Sequence, residues 1–328
     1  MQRTSFIICF LVSALLLQSC TVSRPVQPDR SHEQGSTAAV EIAEPVPETG
    51  KAAGLIHDSD SGRAYVTEVL TCLTELPDRF AGSENNAAAA DYIAGEMKRI
   101  GLEPFAGESY LQPYPQFVGG EEISLDNVVG YLRGTGSTNP DAVVISCHFD
   151  TVSNTPGAVD NASGVAAMLT TARLLVSMEV SDRPDLIFCA FNGEEQFYIG
   201  SQAFVESFKE IYESPYNINY DCVGMVNGGA YMMGAGEEDT AYELIRSMSQ
   251  FLESGGILLN DYNNQSIRSD HVSFVKAGIP GVCLSMINVP SVIHSPNDTT
   301  DQVDAAEVAG LAAAVADYLD QSRMAGSE

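Results

Sequence analysis

Basic residues are scarce in this chain: 16 Lys and Arg stand against 44 Asp and Glu in 328 residues, a formal net charge of −28. Binding to nucleic acid depends on clustered Lys and Arg that displace counterions from phosphates, so this balance excludes a nucleic-acid partner, and with it a basic membrane-surface protein. A spanning helix is also lacking, because the apolar run Phe6 to Leu17 has twelve residues where roughly 20 are needed. No CxxC pair occurs. The five cysteines beyond Cys20 (Cys72, Cys147, Cys189, Cys222 and Cys283) are an odd number that cannot all pair internally, and four of them lie in or beside apolar runs, which predicts buried thiols. There is no GxSxG elbow and no repeat at a fixed period. What is present is a globular composition, 45% hydrophobic and 18% charged, too apolar for a disordered chain.

The amino terminus reads as a processing signal. Arg3 precedes the short apolar run, which is the length of a signal-peptide core, and the run ends in Leu17-Gln18-Ser19-Cys20. That end resembles the lipobox of bacterial lipoproteins, with Gln18 departing from the usual small or apolar residue. The resemblance implies a signal peptide over 1–19, a lipid on Cys20, and export to a bacterial membrane facing the periplasm or exterior. A plain secretory peptide or an uncleaved anchor are the alternatives. Residues 20–57 are rich in Pro, Ser, Ala and Glu without an apolar period and are expected to form a disordered tether. His32 and His57, in or at the edge of the tether, are poor site candidates. Residues 58–328 remain for one folded domain.

That domain alternates strand-like apolar runs with helical patterns, which predicts an α/β fold around a mainly parallel, mixed sheet with helices on both faces. Strands are expected at Asn127 to Tyr131, Ala142 to Cys147, Asp185 to Phe191, Tyr220 to Val226 and Gly281 to Ile287. Helical spacing marks Ala89 to Ile100 with Gly101 as its end, Val165 to Val176, Tyr242 to Leu252, and Ala305 to Leu319. Ligands of such sheets bind beyond the carboxyl ends of the strands, and there the sequence places metal-ligand chemistry. His148-Phe149-Asp150 closes one run, Asp160 follows in DNASG before a helix, Asn192-Gly193-Glu194-Glu195 closes the next, Asp221 stands in NYDCVG, and His294 in HSPNDT. This mixture of imidazole and carboxylate suits zinc or another first-row divalent ion, with more acids than one ion needs.

An HxD tripeptide or a Glu-Glu pair alone is commonplace. In this order and at these intervals, however, the strings resemble the co-catalytic zinc peptidases, a family that includes secreted bacterial aminopeptidases, glutamate carboxypeptidases and glutaminyl cyclases. RFAGS at Arg79 to Ser83 and SDHVSFVKAGIP at Ser269 to Pro280 share in the resemblance, which covers the chain from about Leu70 to Val303. It implies a phosphorylase/hydrolase-like zinc peptidase architecture and two zinc ions per chain. Asp160 would bridge them, His148 and Asp221 completing one ligand set and Glu195 and His294 the other. Glu194 would be the general base and Asp150 the carboxylate that orients the His148 ring. Val159 stands where the family often has an acid. Asp270 and His271 match a motif without an assigned role, core support being their expected use. The expected activity is hydrolysis of peptides, most simply from the amino end. A glutaminyl cyclase is the first alternative, disfavoured by the absence of any Trp, and a non-catalytic binding lipoprotein is the second, disfavoured by the intact Glu194.

Overall fold

Val143, Ile145 and Cys147 alternate with Ala142 and Val144 along the strand Ala142–His148, and all are buried, so both faces of this strand are covered. Period-two alternation sends the two sets into different cores. In the computed structural model, which describes residues 59–118, 121–136, 141–178, 183–234, 241–262 and 266–321, the first set packs with five helices: α1 (Ser59–Thr74), α2 (Glu84–Ile100), α3 (Ser163–Ser177), α5 (Tyr242–Ser254) and α7 (Ala305–Gln321). The second set meets α4 (Ile199–Phe208) and α6 (His271–Lys276) across a cluster of Phe rings, with Phe191 and Phe204 centred 5.5 Å apart and Phe204 stacked on Phe208 at 5.0 Å. In a chain without Trp, these rings supply the bulk of that core.

The strands are β1 (Glu103–Pro104), β2 (Leu111–Val118), β3 (Glu121–Leu132), β4 (Ala142–His148), β5 (Asp185–Phe191), β6 (Tyr216–Tyr220), β7 (Tyr231–Gly234), β8 (Leu259–Tyr262) and β9 (Gly281–Met286). They form one sheet in the order β1-β3-β5-β4-β6-β9-β7-β8, with β2 on β3. The centre β5-β4-β6-β9 is parallel, whereas β3 and β7 run antiparallel to their central neighbours. The mixed, mainly parallel α/β sheet is therefore as expected, and the carboxyl ends of four adjacent strands open on one edge.

Four of the nine strands, β1, β2, β7 and β8, lie outside the expected set, and one expected strand is displaced. The run expected at Tyr220 to Val226 pairs instead over Tyr216–Tyr220, and Asp221 begins the loop beyond it. Hydropathy misplaces it because β6 reads YNINY, with two buried asparagines. Asn217 Nδ2 donates to Ser146 Oγ at 2.8 Å and Asn219 Nδ2 to Ser269 Oγ at 2.9 Å, so the amide donors of both side chains find partners in the core. Pro113 and Pro115 concealed β2, yet β2 pairs with β3 alone, an edge position where a missing N–H is tolerated. Helix α2 ends as its sequence predicts, on Gly101 at φ 98°. All five cysteines are free and four are buried. The signal peptide at 1–19, Cys20 and the tether at 20–57 lie outside the described residues. Among the described residues no helix is long and apolar enough to cross a membrane.

Candidate metal centre

His148 is the last residue of β4, Glu194 and Glu195 follow β5, Asp221 follows β6, and His294 lies in the loop after β9. Asp160 sits in a short kinked segment, Ala158–Ala162, where its own backbone (φ −115°, ψ 90°) is not helical, and which leads into α3. Parallel pairing of β5, β4, β6 and β9 thus delivers these side chains to one place. Asp160 Oδ1 is 3.2 Å from His148 Nε2, which is 3.6 Å from Asp221 Oδ1. Asp160 Oδ2 is 3.1 Å from His294 Nε2, itself 3.1 Å from Glu195 Oε1. Two sets of donors, His148/Asp160/Asp221 and Asp160/Glu195/His294, each converge within 4.8 Å and share Asp160.

The donor spacing fits zinc. Ligand atoms about 2.0–2.1 Å from one tetrahedral ion lie about 3.3 Å from each other, close to the separations found. Glu195 Oε1 adds a second indication. It is buried and has no hydrogen-bond partner among the described residues, although His294 Nε2 is 3.1 Å away, so the two atoms face a common point rather than each other. Charge points the same way. Burial opposes charge on His148, but Glu194 and the bonds to Asp150, Asp160 and Asp221 outweigh it and hold the imidazole well above its ordinary range. Asp160 draws His294 up to about 9 against burial. Burial, followed by Asp160, pushes Glu195 up to about 7, and burial raises Glu194 well above the carboxylate range. Burial would raise Asp160 too, yet both imidazoles hold it below that range. So many acids in so little solvent call for positive charge, which divalent ions supply.

Asp150 stands behind both groups. Its carboxylate accepts the backbone N–H of Glu194 at 3.1 Å and of Glu195 at 3.2 Å, pinning the turn that carries them. The His148 ring lies with Nδ1 3.2 Å from the Asp150 main-chain oxygen and 3.5 Å from its carboxylate. Asp270 and His271 open α6, fully buried, and the His271 nitrogens make no hydrogen bond among the described residues. Burial lowers His271 to about 4 and raises Asp270 to about 7.

Three supporting residues escaped sequence reasoning. Arg79 is fully buried and donates to four carbonyls, those of Leu73, Phe149, Pro156 and Gly157, at 2.8–2.9 Å. Asp298 accepts from Val159 N at 2.6 Å and Asp160 N at 3.1 Å, so a carboxylate distant in sequence braces the loop where Val159 replaces an acid. Asn161 ties the same loop to the Asp221 loop, its amide nitrogen donating to Tyr220 O at 3.0 Å and its oxygen accepting from Cys222 N at 3.1 Å. Gly157 holds φ +64°, and a Cβ there would fall 2.4 Å from Thr151 Cγ2 and 2.8 Å from an Arg79 nitrogen. Only the RFAGS string hinted at Arg79. Asn161 and Asp298 lie in the strings DNASG and HSPNDT, but their roles were not assigned, because their partners are backbone atoms.

Comparison with known proteins places the chain. Aminopeptidase YwaD of Bacillus subtilis is 31% identical over 188 residues, 54% of this chain and 40% of that one, so the match spans less than half of the curated relative's length. A glutaminyl cyclase of Porphyromonas gingivalis superposes with a TM-score of 0.66 at 20% identity over 81% of this chain and 98% of its own. A zinc aminopeptidase of Bacillus subtilis does so with 0.63 at 18% identity, over 80% and 96%. At these identities the two structures speak for the fold alone. The model of peptidase family M28 matches residues 127–319, from the middle of β3 to the last turns of α7 and through every residue of both donor sets, and the chain belongs to that family.

Proposed function

We propose that the chain is a di-zinc metallopeptidase that hydrolyses peptide bonds and releases residues from the amino end of peptides. The observation that carries this reading is the shared carboxylate, Asp160, with one oxygen toward His148 and the other toward His294. His148, Asp160 and Asp221 would hold one ion, and Asp160, Glu195 and His294 the other. Two divalent ions, when bound, would lower the pKa of a water molecule and polarise the scissile carbonyl. Glu194, held on its turn by Asp150, takes the proton from the attacking water and passes it to the leaving amine. Three ligand carboxylates offset the repulsion between the two cations. The preference for the amino end is supported by the name of aminopeptidase YwaD.

The test is a panel of amino-acyl amides, amino-blocked peptides and glutaminyl peptides, given to protein stripped with chelator and reloaded with zinc. Amides should be hydrolysed only after reloading, and blocked peptides left intact. Cyclisation of glutaminyl peptides in place of hydrolysis would overturn the proposal. Elemental analysis should find two ions per chain, with Asp160→Ala losing both. Asp150→Ala, one step removed, should weaken affinity by about 10 to 100-fold. A stoichiometry of one under saturating zinc argues for the cyclase.

We also place the protein on a bacterial membrane through a lipid on Cys20, supported by the lipobox-like end of a run too short to span. A fatty-acid probe should label the wild-type chain and not Cys20→Ala. Equal labelling of the two would remove the anchor from the proposal.

A further inference from the structure

Tyr198 leads into α4, three residues beyond Glu195, and its backbone lies in the left-handed region with φ +63°, as does that of Phe197 before it with φ +68°. For residues with a Cβ this region is unfavourable. Hydrogen bonds hold the chain there. Tyr198 N donates to Glu194 O at 3.0 Å, and Tyr198 O accepts from Gln202 N at 3.0 Å and from Ser201 Oγ at 3.1 Å. Ser201 Oγ lies 2.8 Å from Ser273 Oγ, which ties the start of α4 to α6, the helix that begins directly after Asp270. The backbone of Tyr198 is thus fixed between the turn that carries Glu194 and the helix that follows Asp270. Its half-buried side chain takes no part in these ties, and the hydroxyl makes no hydrogen bond among the described residues. Burial first, then the charges of Glu194, Asp270 and Asp221, push the phenol up to about 12 against the opposing charge of Arg268. A hydroxyl on which the base, a metal ligand and a buried acid all act lies on the metal-centre side of the turn. Residues held in strained conformations gather at functional sites, and this one offers an O–H that the fold leaves unused.

We propose that Tyr198 is a catalytic residue whose hydroxyl donates a hydrogen bond to the oxygen of the scissile carbonyl as that oxygen becomes negative. This rests on the peptidase reading, which supplies the reaction. As water attacks the carbonyl carbon, its proton passes to Glu194 and the C=O electron pair moves onto the oxygen, which then stands in a site crowded with carboxylates. Those carboxylates accept hydrogen bonds and repel the new charge. Tyr198 donates to it and keeps its own proton, because the surrounding acids make the phenol harder to ionise. When the C–N bond breaks, the pair returns to re-form C=O, the proton on Glu194 goes to the leaving amine, and Tyr198 ends as it began. The bond is strongest while the charge is present, so it lowers the barrier rather than tightening substrate binding.

The experiment compares zinc-loaded wild type with Tyr198→Phe, which keeps the ring and the turn and removes only the hydroxyl. The substrate is the amino-acyl amide that wild type turns over fastest, and the second probe is the phosphinic analogue of the matching dipeptide, whose tetrahedral phosphorus carries an anionic oxygen in place of the attacked carbonyl. Zinc content and Tm should be unchanged. In Tyr198→Phe kcat should fall by about 10² to 10³-fold, the range for removing one donor to a developing oxyanion, with KM little altered. The inhibition constant of the phosphinic analogue should rise by about the same factor, because it shares the transition-state charge. The acid limb of the pH profile of kcat/KM should stay where it is. An unchanged kcat overturns the proposal and leaves the peptidase reading standing. So does a lower kcat with a displaced acid limb and an unchanged inhibition constant, which would make Tyr198 a positioning residue for Glu194. Loss of zinc or a lower Tm alongside the loss of activity assigns the hydroxyl to the fold and overturns the proposal as well. If wild type hydrolyses none of the amides, the peptidase reading fails first and the Tyr198 proposal falls with it.

Discussion

Glu194→Gln should bind two zinc ions as wild type does and turn over substrate at least about 10² to 10⁴-fold more slowly, the range for a positioned acid/base group. Glutamine keeps the length and hydrogen-bonding reach of the side chain but cannot accept the proton. The turn should survive the change, because Asp150 holds it through the backbone N–H groups of Glu194 and Glu195, which are untouched. Glu195→Gln, one residue on, should behave differently. Its Oε1 faces the same point as His294 Nε2, and an amide is a poorer ligand than a carboxylate, so metal affinity falls first and excess zinc restores part of the activity. Competition with a chelator separates the two variants without any assay of turnover. A reversal, with Glu194→Gln losing metal and Glu195→Gln retaining it, would show the roles to be exchanged. Full activity in both variants with zinc still bound would show that neither residue is the base or a necessary ligand, and would overturn both roles.

The convergence of the candidate donors was legible because of where these residues fall. His148 and Glu194-Glu195 each follow a run of apolar residues whose strand is buried on both faces, and such runs are the strongest signal a sequence offers for the centre of a parallel sheet. Asp221 was found by its string rather than by its strand. Its own strand, YNINY, hides behind two asparagines whose partners, Ser146 and Ser269, belong to other parts of the chain, and hydropathy cannot anticipate a polar side chain whose donor is bonded from a distance. The role of Asp298, though the residue stands in the quoted string HSPNDT, was invisible for a related reason. It acts on two backbone N–H groups 138 and 139 residues away, and a backbone donor leaves no mark on residue type. Phe197 is a third case, since a positive φ at a residue with a Cβ runs against local preference and is imposed by Glu194, Gln202 and the packing of Ile199. The framework was readable from periodicity, then, and the residues that adjust the framework were not.

Arg79→Met should destabilise the domain by about 3–5 kcal/mol, the loss typical of breaking a buried hydrogen-bonded charge network, a larger effect than any other single substitution considered for stability. Burial lowers the guanidinium to about 10 against the opposing charges of Asp298, Asp150 and Asp160, so the side chain stays cationic at neutral pH. Its four donated bonds tie the end of α1, at Leu73, to the segment after β4, at Phe149, and to Pro156 and Gly157 at the entrance of the Asp160 loop. Met fills similar volume and donates nothing, leaving buried carbonyls short of partners. Leu73 O and Gly157 O retain a backbone donor each, from Leu76 N and Ala162 N at 3.1 Å, which concentrates the loss on Phe149 and Pro156. Those two residues flank the loops that position His148 and Asp160, so metal affinity should fall together with stability. Arg79→Lys retains the charge but replaces a planar fork by a single ammonium that cannot reach four carbonyls, and should lie between Met and wild type. Thermal unfolding with and without zinc checks both parts. Since a ligand that binds only the folded state stabilises it by mass action, zinc should raise the Tm of each variant, and raise it less for Arg79→Met at equal concentration because its affinity is weaker. A metal-free Tm for Arg79→Met within about 2 °C of wild type, a difference worth less than about 1 kcal/mol in a domain of this size, would mean that the four bonds are replaced by water and that Arg79 does not brace the site.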